Sequence, residues 1–123
     1  MAAFRIFTIL IGLVPLFLGV TGILFGAAEH NDGEAVSAAL DSQYRYLAAV
    51  YVAVGAMILW SAGDVRNRAM LLRFAMFGWF LGGLARANSW MMVGEPASWQ
   101  VSGMIVELVV PVAMLLWQRR VVR

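Results

Sequence analysis

The chain has 123 residues, of which 63% are hydrophobic and 13% are charged, whereas an average soluble domain is about 45–50% apolar and about 25% charged. A soluble domain of this size has too much surface for its volume to bury so many apolar side chains, so the composition indicates an integral membrane protein. With no cysteine, one histidine and a net charge of only +2, we expect no metal, no cofactor and no nucleic-acid partner.

Four apolar segments are long enough to cross a bilayer, whose hydrocarbon core of about 30 Å needs about 20 apolar residues in a helix. The predicted spans are 4–27, 44–62, 69–93 and 99–118. A polar segment over residues 28–43 separates the first two spans, and Asp41 or Ser42 is the predicted N-cap of the second. The sequence therefore predicts a single all-α domain over residues 1–123, an integral membrane four-transmembrane-helix bundle.

The distribution of arginine predicts the orientation of the spans. Seven of the nine basic residues lie at the N-terminus, in or beside the second connection, or at the C-terminus: Arg5, Arg66, Arg68, Arg73, Arg119, Arg120 and Arg123. The first and third connections contain none. Because basic residues are enriched on the cytoplasmic side of membrane proteins, both termini and the second connection are predicted to be cytoplasmic.

Small residues recur at steps of three and four along two predicted helices, and such residues share one helix face. In the first span they are Thr8, Gly12, Pro15, Gly19, Gly22 and Gly26. In the third span they are Ala75, Gly78 and Gly82, and Arg86 continues the same face. Small faces let membrane helices approach closely, so we interpret both as packing surfaces rather than as ligand clefts.

Three charged residues, Arg45, Arg86 and Glu107, fall inside the predicted spans. Each costs about 3 kcal/mol at a helix centre. At 1.5 Å per residue, Arg86 and Glu107 lie roughly 10 Å and 12 Å from the outer ends of their spans, which predicts an ion pair. Pro111 frees the main-chain carbonyl of Glu107 as a further acceptor for Arg86. Arg73, near the cytoplasmic end of the third span, is expected to extend to the membrane surface.

Two interpretations remain open for these charges. In the first, Arg86 and Glu107 determine how the third and fourth spans pack, while Arg45 anchors to lipid headgroups. In the second, Arg45, Arg86 and Glu107 surround a polar pocket that is open to the outer side and that Ser89 and Tyr46 border. Such a pocket would hold an anionic or amphipathic ligand.

Several short motifs carry a resemblance to a known family. They are Tyr44-Arg45-Tyr46 with Gly55, Gly82-Gly83-Leu84-Ala85-Arg86 with Ser89 and Gly94, and Glu107 with Trp117 before the basic tail. Over residues 41–120 the chain thus resembles the domain-of-unknown-function 4345 family of small bacterial four-helix membrane proteins, which is broadly DoxX-like. The resemblance implies a multi-pass protein of the bacterial inner membrane, with Arg45, Arg86 and Glu107 as family-like polar positions. It implies no activity.

No nucleophile constellation or phosphate-binding loop is present in the sequence, so we expect that the protein is not an enzyme. The function that we expect first is an accessory subunit or structural component of a larger membrane complex. Its partners would be the lipid bilayer and other membrane protein subunits, or a second copy of itself, bound through glycine-rich faces. The alternative is a ligand-binding or transport module that uses the outward pocket around Arg45, Arg86 and Glu107.

Overall fold

The computed structural model describes residues 1–31 and 33–123, so Asp32, in the first polar segment, lies outside the described residues. Its helices are α1 (Ala2–Phe25), a short 3-10 helix (Ala28–His30), α2 (Ala38–Gly63), α3 (Ala69–Val93) and α4 (Ser98–Val121). The described residues contain no strand. All four α-helices are long and apolar enough to cross a membrane. The all-α class and the four membrane-spanning helices are therefore confirmed.

The chain forms two compact helical units. The first unit, Ala2–Gly63, is the α1–α2 hairpin, and the second comprises residues 64–123 and is the α3–α4 hairpin. That residues 1–123 form one domain stays a prediction.

In the α1–α2 hairpin the helix backbones meet at glycines. A Cβ atom on Gly19 would lie 2.7 Å from the carbonyl oxygen of Ala48, and one on Gly55 would lie 2.7 Å from the backbone nitrogen of Leu16. The predicted small face of α1 is buried from Thr8 to Gly22. Its interpretation as a packing surface is confirmed, because only residues without a side chain permit backbones this close.

The start of α2 differs from the prediction. The helix begins at Ala38, six residues before the predicted span, and the Ser37 hydroxyl accepts a hydrogen bond from the backbone N–H of Leu40 at 3.1 Å. Ser37 is therefore the capping residue, and the prediction of Asp41 or Ser42 was wrong. The physical reason is that apolar composition marks the lipid-buried part of a helix, whereas the helix itself continues into the polar residues at the membrane surface.

A tight connection over residues 64–68 joins α2 to α3. The two carboxylate oxygens of Asp64 accept hydrogen bonds from the Asn67 backbone N–H at 3.2 Å and from its side-chain amide at 2.8 Å. These hydrogen bonds hold the pKa of the Asp64 carboxyl below its usual value. The connection is thus stabilised by its own side chains.

The face of α3 that approaches α4 is not the predicted glycine face. A Cβ atom on Gly83 would lie 2.8 Å from Leu108, whereas one on Gly78 would meet no atom within 4 Å. On Gly82 it would meet only a carboxylate oxygen of Glu107, at 3.9 Å. Gly78 and Gly82 therefore do not pack against α4, and their role as packing positions for another helix stays a prediction. Adjacent glycines differ by about 100° around a helix, and periodicity does not say which of them faces a neighbour.

The buried side-chain amide of Gln118, on α4, links this helix to the first turn of α3. Gln118 is 1% exposed, its side-chain NH₂ donates to the carbonyl oxygen of Ala69 at 3.1 Å, and its oxygen accepts from Nε of Arg73 at 2.9 Å. Arg73 thus has a protein partner, and its extension to the membrane surface stays a prediction. This connection was not foreseen, because an amide near a helix end carries no charge or periodicity that would identify it.

Candidate functional site

Arg45, the first of the predicted site residues, is bound by its own hairpin. Its Nε donates to Asp41 at 2.7 Å, and its Nη1 donates to the carbonyl oxygens of Ile23 at 2.6 Å and Leu24 at 3.3 Å. The second carboxylate oxygen of Asp41 accepts from the backbone N–H of Ala27 at 3.0 Å. The last carbonyls of a helix lack intrahelical partners and carry partial negative charge, so a guanidinium there stabilises the end of α1.

The chain turn at this contact requires a glycine. Gly26 has φ +73°, and a Cβ atom on it would collide with the carboxylate of Asp41 and the guanidinium of Arg45. Asp41 and Arg45 therefore close the α1–α2 hairpin over a left-handed residue. The structure gives Arg45 protein partners where the first interpretation assigned lipid headgroups.

Arg86 and Glu107 form the second centre, in the α3–α4 hairpin. Nε of Arg86 donates to the two carboxylate oxygens of Glu107 at 3.0 Å and 3.3 Å. The side chain of Arg86 is 37% exposed and that of Glu107 is 13% exposed. The similar depths that the sequence predicts for these residues thus correspond to a direct ion pair. Both hydrogen bonds go to the carboxylate, and the main-chain carbonyl that Pro111 frees receives none from Arg86.

The Arg86 guanidinium has donor capacity that the chain does not use. Arginine carries five N–H donors in a planar fork. Across residues 1–31 and 33–123, the hydrogen bonds of the Arg86 side chain all come from Nε and all end on Glu107. Nη1 and Nη2, with four N–H groups, have no partner among these residues. A polar group from outside the chain can therefore bind there.

Two glycines, Gly82 and Gly103, leave open space beside the Glu107 carboxylate, and Gly78, about two helical turns before Arg86, also has open space beside it. A Cβ atom would meet nothing within 4 Å on Gly78, and only Glu107 carboxylate oxygens on Gly82 and Gly103, at 3.9 Å and 4.0 Å. Gly78, Gly82 and Arg86 recur every four residues and share one side of α3. We call Gly78, Gly82 and Arg86 the open face. Another molecule can approach closely at the two glycines and can accept hydrogen bonds from Arg86.

The remaining two predicted site residues are exposed. Ser89 lies three residues beyond Arg86 on α3, and Tyr46, on α2, is 64% exposed. Neither side chain forms a hydrogen bond with the part of the chain that the structure describes. Because Arg45 and Tyr46 belong to one hairpin and Arg86, Glu107 and Ser89 to the other, a pocket shared by all five stays a prediction.

The comparisons with known proteins agree with the resemblance seen in the motifs. The family model described as "Domain of unknown function (DUF4345)" matches residues 3–118. The chain belongs to this family. The match also covers the first span, where the motifs carried little of the resemblance. No curated protein and no solved structure matches the chain.

This DUF4345 protein also has a shallow apolar recess between α3 and α4. Its volume is about 150 Å³, and its lining consists of Met76, Phe77, Phe80, Pro111, Val112 and Leu115. The recess contributes no hydrogen-bonding group and does not include Arg86 or Glu107. Among the described residues, no three His, Asp or Glu side chains lie close enough together to hold a metal ion. The open face is therefore the feature with the clearest chemical specificity.

Proposed function

We propose that this protein is a non-enzymatic accessory subunit of a larger membrane complex, and that a partner transmembrane helix docks on the open face. The observation that carries the proposal is the set of unused donors on the Arg86 guanidinium, together with Gly78 and Gly82 on the same side of α3. These residues offer the two means by which membrane helices associate, namely close backbone approach at small residues and hydrogen bonds between helices.

Four N–H groups of Arg86, in a membrane-spanning helix, have no partner among the described residues. A polar group without a partner in hydrocarbon costs several kcal/mol, so these donors favour any neighbour that supplies acceptors. A partner helix can supply main-chain carbonyls, hydroxyls or side-chain amides at this depth. A glycine face allows those groups to come within hydrogen-bond distance, because no side chain on Gly78 or Gly82 holds the partner away.

The charge of the pair supports a neutral partner group over an anion. Glu107 lies within 3.0 Å of Nε of Arg86, so the positive charge of the guanidinium is already balanced. An added anion would be repelled by the carboxylate, whereas a carbonyl or amide oxygen would not. The acceptor that suits the open face is therefore an uncharged oxygen.

Four glycines of α1 and α2 are covered by the facing helix of their hairpin, whereas Gly78 of the α3–α4 hairpin is not, and this difference supports docking of a partner helix. The space beside Gly12, Gly19, Gly22 and Gly55 is filled by the facing helix of their own hairpin. A Cβ atom on Gly78 would meet no atom within 4 Å, although a glycine in a helix interior costs about 0.5–1 kcal/mol relative to alanine. A partner that packs on Gly78 would offset this cost.

The test is co-purification of the complex in mild detergent. We expect the wild-type protein to retain a membrane protein at a fixed molar ratio, and Gly78→Leu to reduce the retained amount at least tenfold because its side chain covers the open face. Ala113→Leu, at an exposed position of α4, is the matched control and should retain the partner. Wild-type protein that purifies alone as a monomer, or full retention by Gly78→Leu, would contradict the proposal.

The same experiment tests the alternative function as a ligand-binding or transport module. The unused donors of Arg86, with the exposed hydroxyl of Ser89 three residues away, also suit a carbonyl-bearing small amphipathic molecule. In that case mass spectrometry of the purified protein would find a small molecule, and Arg86→Gln would abolish its retention. Retention of a protein that Arg86→Gln weakens supports the accessory role.

Cytoplasmic termini in a bacterial inner membrane remain part of the proposal, supported by the arginine distribution. Reporter fusions at Asn67 and Arg123 are expected to show the cytoplasmic pattern, and fusions at Glu34 and Glu95 the opposite one. The measurement is the activity of alkaline phosphatase, which matures only outside the cytoplasm, against that of a cytoplasmic fluorescent reporter. Phosphatase activity at Arg123 would be incompatible with the proposed orientation.

A further inference from the structure

Six arginines gather at one end of the α3–α4 hairpin. They are Arg66, Arg68, Arg73, Arg119, Arg120 and Arg123, which we call the arginine end. Two contacts join the segments that carry them: Nη1 of Arg66 donates to the main-chain oxygen of Arg123 at 3.3 Å, and Nε of Arg73 donates to Gln118 at 2.9 Å. The fold therefore brings together charges that lie about 50 residues apart in the chain.

Little negative charge balances the arginine end. The hairpin contains three acidic residues, Asp64, Glu95 and Glu107. Glu95 lies in the connection at the other end of the hairpin, and Glu107 binds Arg86. Among these acidic side chains only Asp64 lies near the arginine end; its carboxylate oxygens accept hydrogen bonds from Asn67, and the charge of Arg68 helps to lower its pKa. Among the described residues, no carboxylate forms an ion pair with the exposed arginines of α4, Arg119 and Arg120.

The position of these charges identifies their counter-ion. Arg73 lies four residues into α3, about 6 Å along the helix axis, and Arg119 and Arg120 are in the last turn of α4. Both helices have the length and composition of membrane spans, so their ends lie at the level of lipid headgroups. The guanidinium fork matches phosphate oxygens in a bidentate geometry, and phosphate is the anion that every phospholipid headgroup carries at this level.

We propose that the arginine end is a binding surface for anionic phospholipids, whose headgroup phosphates lie between the α2–α3 connection and the end of α4. The net negative charge of the lipid matters, because a zwitterionic headgroup offers the same phosphate with its charge already balanced. Basic clusters next to a transmembrane helix attract anionic headgroups by about 1 kcal/mol per residue, which corresponds to about fivefold in affinity for each arginine engaged. The surface is separate from the open face and does not depend on the proposed accessory role.

Native mass spectrometry of the purified protein tests this surface. The protein is mixed with equal amounts of phosphatidylglycerol and phosphatidylcholine that carry the same acyl chains, and the bound lipids are counted. We expect the wild-type protein to retain phosphatidylglycerol at least tenfold in excess. The triple variant Arg119→Gln, Arg120→Gln, Arg123→Gln should lose most of this preference. Because the measurement is made in detergent, a change of membrane orientation does not affect it.

Matched variants keep the result interpretable. The triple lysine variant of the same positions preserves the charge and should retain most of the preference, whereas Arg5→Gln, outside the hairpin, should change it less than twofold. If the triple glutamine variant does not fold, Arg66→Gln with Arg120→Gln provides the same readout. Equal retention of the two lipids by the wild type, or an unchanged preference in the glutamine variants, would overturn the proposal. Complete displacement of the lipid by inorganic phosphate would assign the surface to a free anion instead and would also overturn it.

Discussion

Replacing either Arg86 or Glu107 by alanine is expected to lower the free energy of unfolding by about 3–5 kcal/mol, the range found when one partner of a buried ion pair is removed. The reason is that the remaining charge stays inside a membrane-spanning helix without its counter-charge. The Nε–carboxylate distance of 3.0 Å and the 13% exposure of Glu107 make this an ion pair between α3 and α4 that is largely shielded on the carboxylate side. Unfolding in a detergent series, followed by circular dichroism, provides the measurement.

The double variant distinguishes an ion pair from two independent effects. When both charges are removed together, no charge is left without a partner, so much of the loss should be recovered. Arg119→Ala is the control for the removal of an arginine at a helix end, and a change within about 0.5 kcal/mol is expected there. Single variants as stable as the wild type, or losses that simply add in the double variant, would show that Arg86 and Glu107 do not stabilise the hairpin as a pair.

Alanine in place of Gly19 or Gly55 is expected to destabilise the α1–α2 hairpin by about 1–3 kcal/mol, the usual cost of adding a methyl group to a well-packed interior. The added Cβ atom on Gly19 would lie 2.6 Å from Val52, and that on Gly55 would lie 2.7 Å from the backbone nitrogen of Leu16. Backbone atoms cannot move aside as the end of a flexible side chain can. The two helices would have to separate, and the measurement is again the free energy of unfolding in detergent.

The chain contains its own control for this experiment. Gly78→Ala adds the same methyl group where no atom lies within 4 Å, so the isolated protein should be as stable as the wild type or more stable by about 0.5–1 kcal/mol, because alanine is the better helix former. Equal effects of alanine at Gly19 and Gly78 would mean that the α1–α2 backbones are not in close contact. A loss at Gly78 in the purified protein alone would show that the open face is covered within the chain.

The fold class and the number of helices could be predicted because lipid constrains a sequence strongly. Each residue contributes its own transfer free energy to a span, and about 20 apolar residues in succession identify a helix without any knowledge of its neighbours. The pairing of Arg86 with Glu107 could be predicted for a related reason. Depth in a bilayer is a simple function of position along a helix, and two opposite charges at the same depth have few other partners.

Several contacts of the candidate site could not be predicted from sequence periodicity. Arg45 binds carbonyl oxygens of Ile23 and Leu24, and every residue carries a carbonyl, so nothing in the sequence marks these two as partners. Gln118 links α4 to Ala69 in the same way. Ser37 caps α2 although two equally suitable residues follow a few positions later. Asp41 instead binds the backbone N–H of Ala27, a tertiary contact, and Arg45 one turn further along α2.

The sequence by itself therefore determined that this is an all-α protein with four membrane-spanning helices, that α1 has a glycine packing face and that two opposite charges lie at one depth. Only the tertiary structure decided that Gly83 rather than Gly82 approaches α4, and that Gly78 and Gly82, on the same side of α3 as Arg86, are left open. The physical reason is rotational: successive residues on a helix point about 100° apart, and the rotation of one helix against another depends on the sum of many packing contacts. The periodicity of one helix predicts that a face exists, but the partner helix determines which residues of that face are covered.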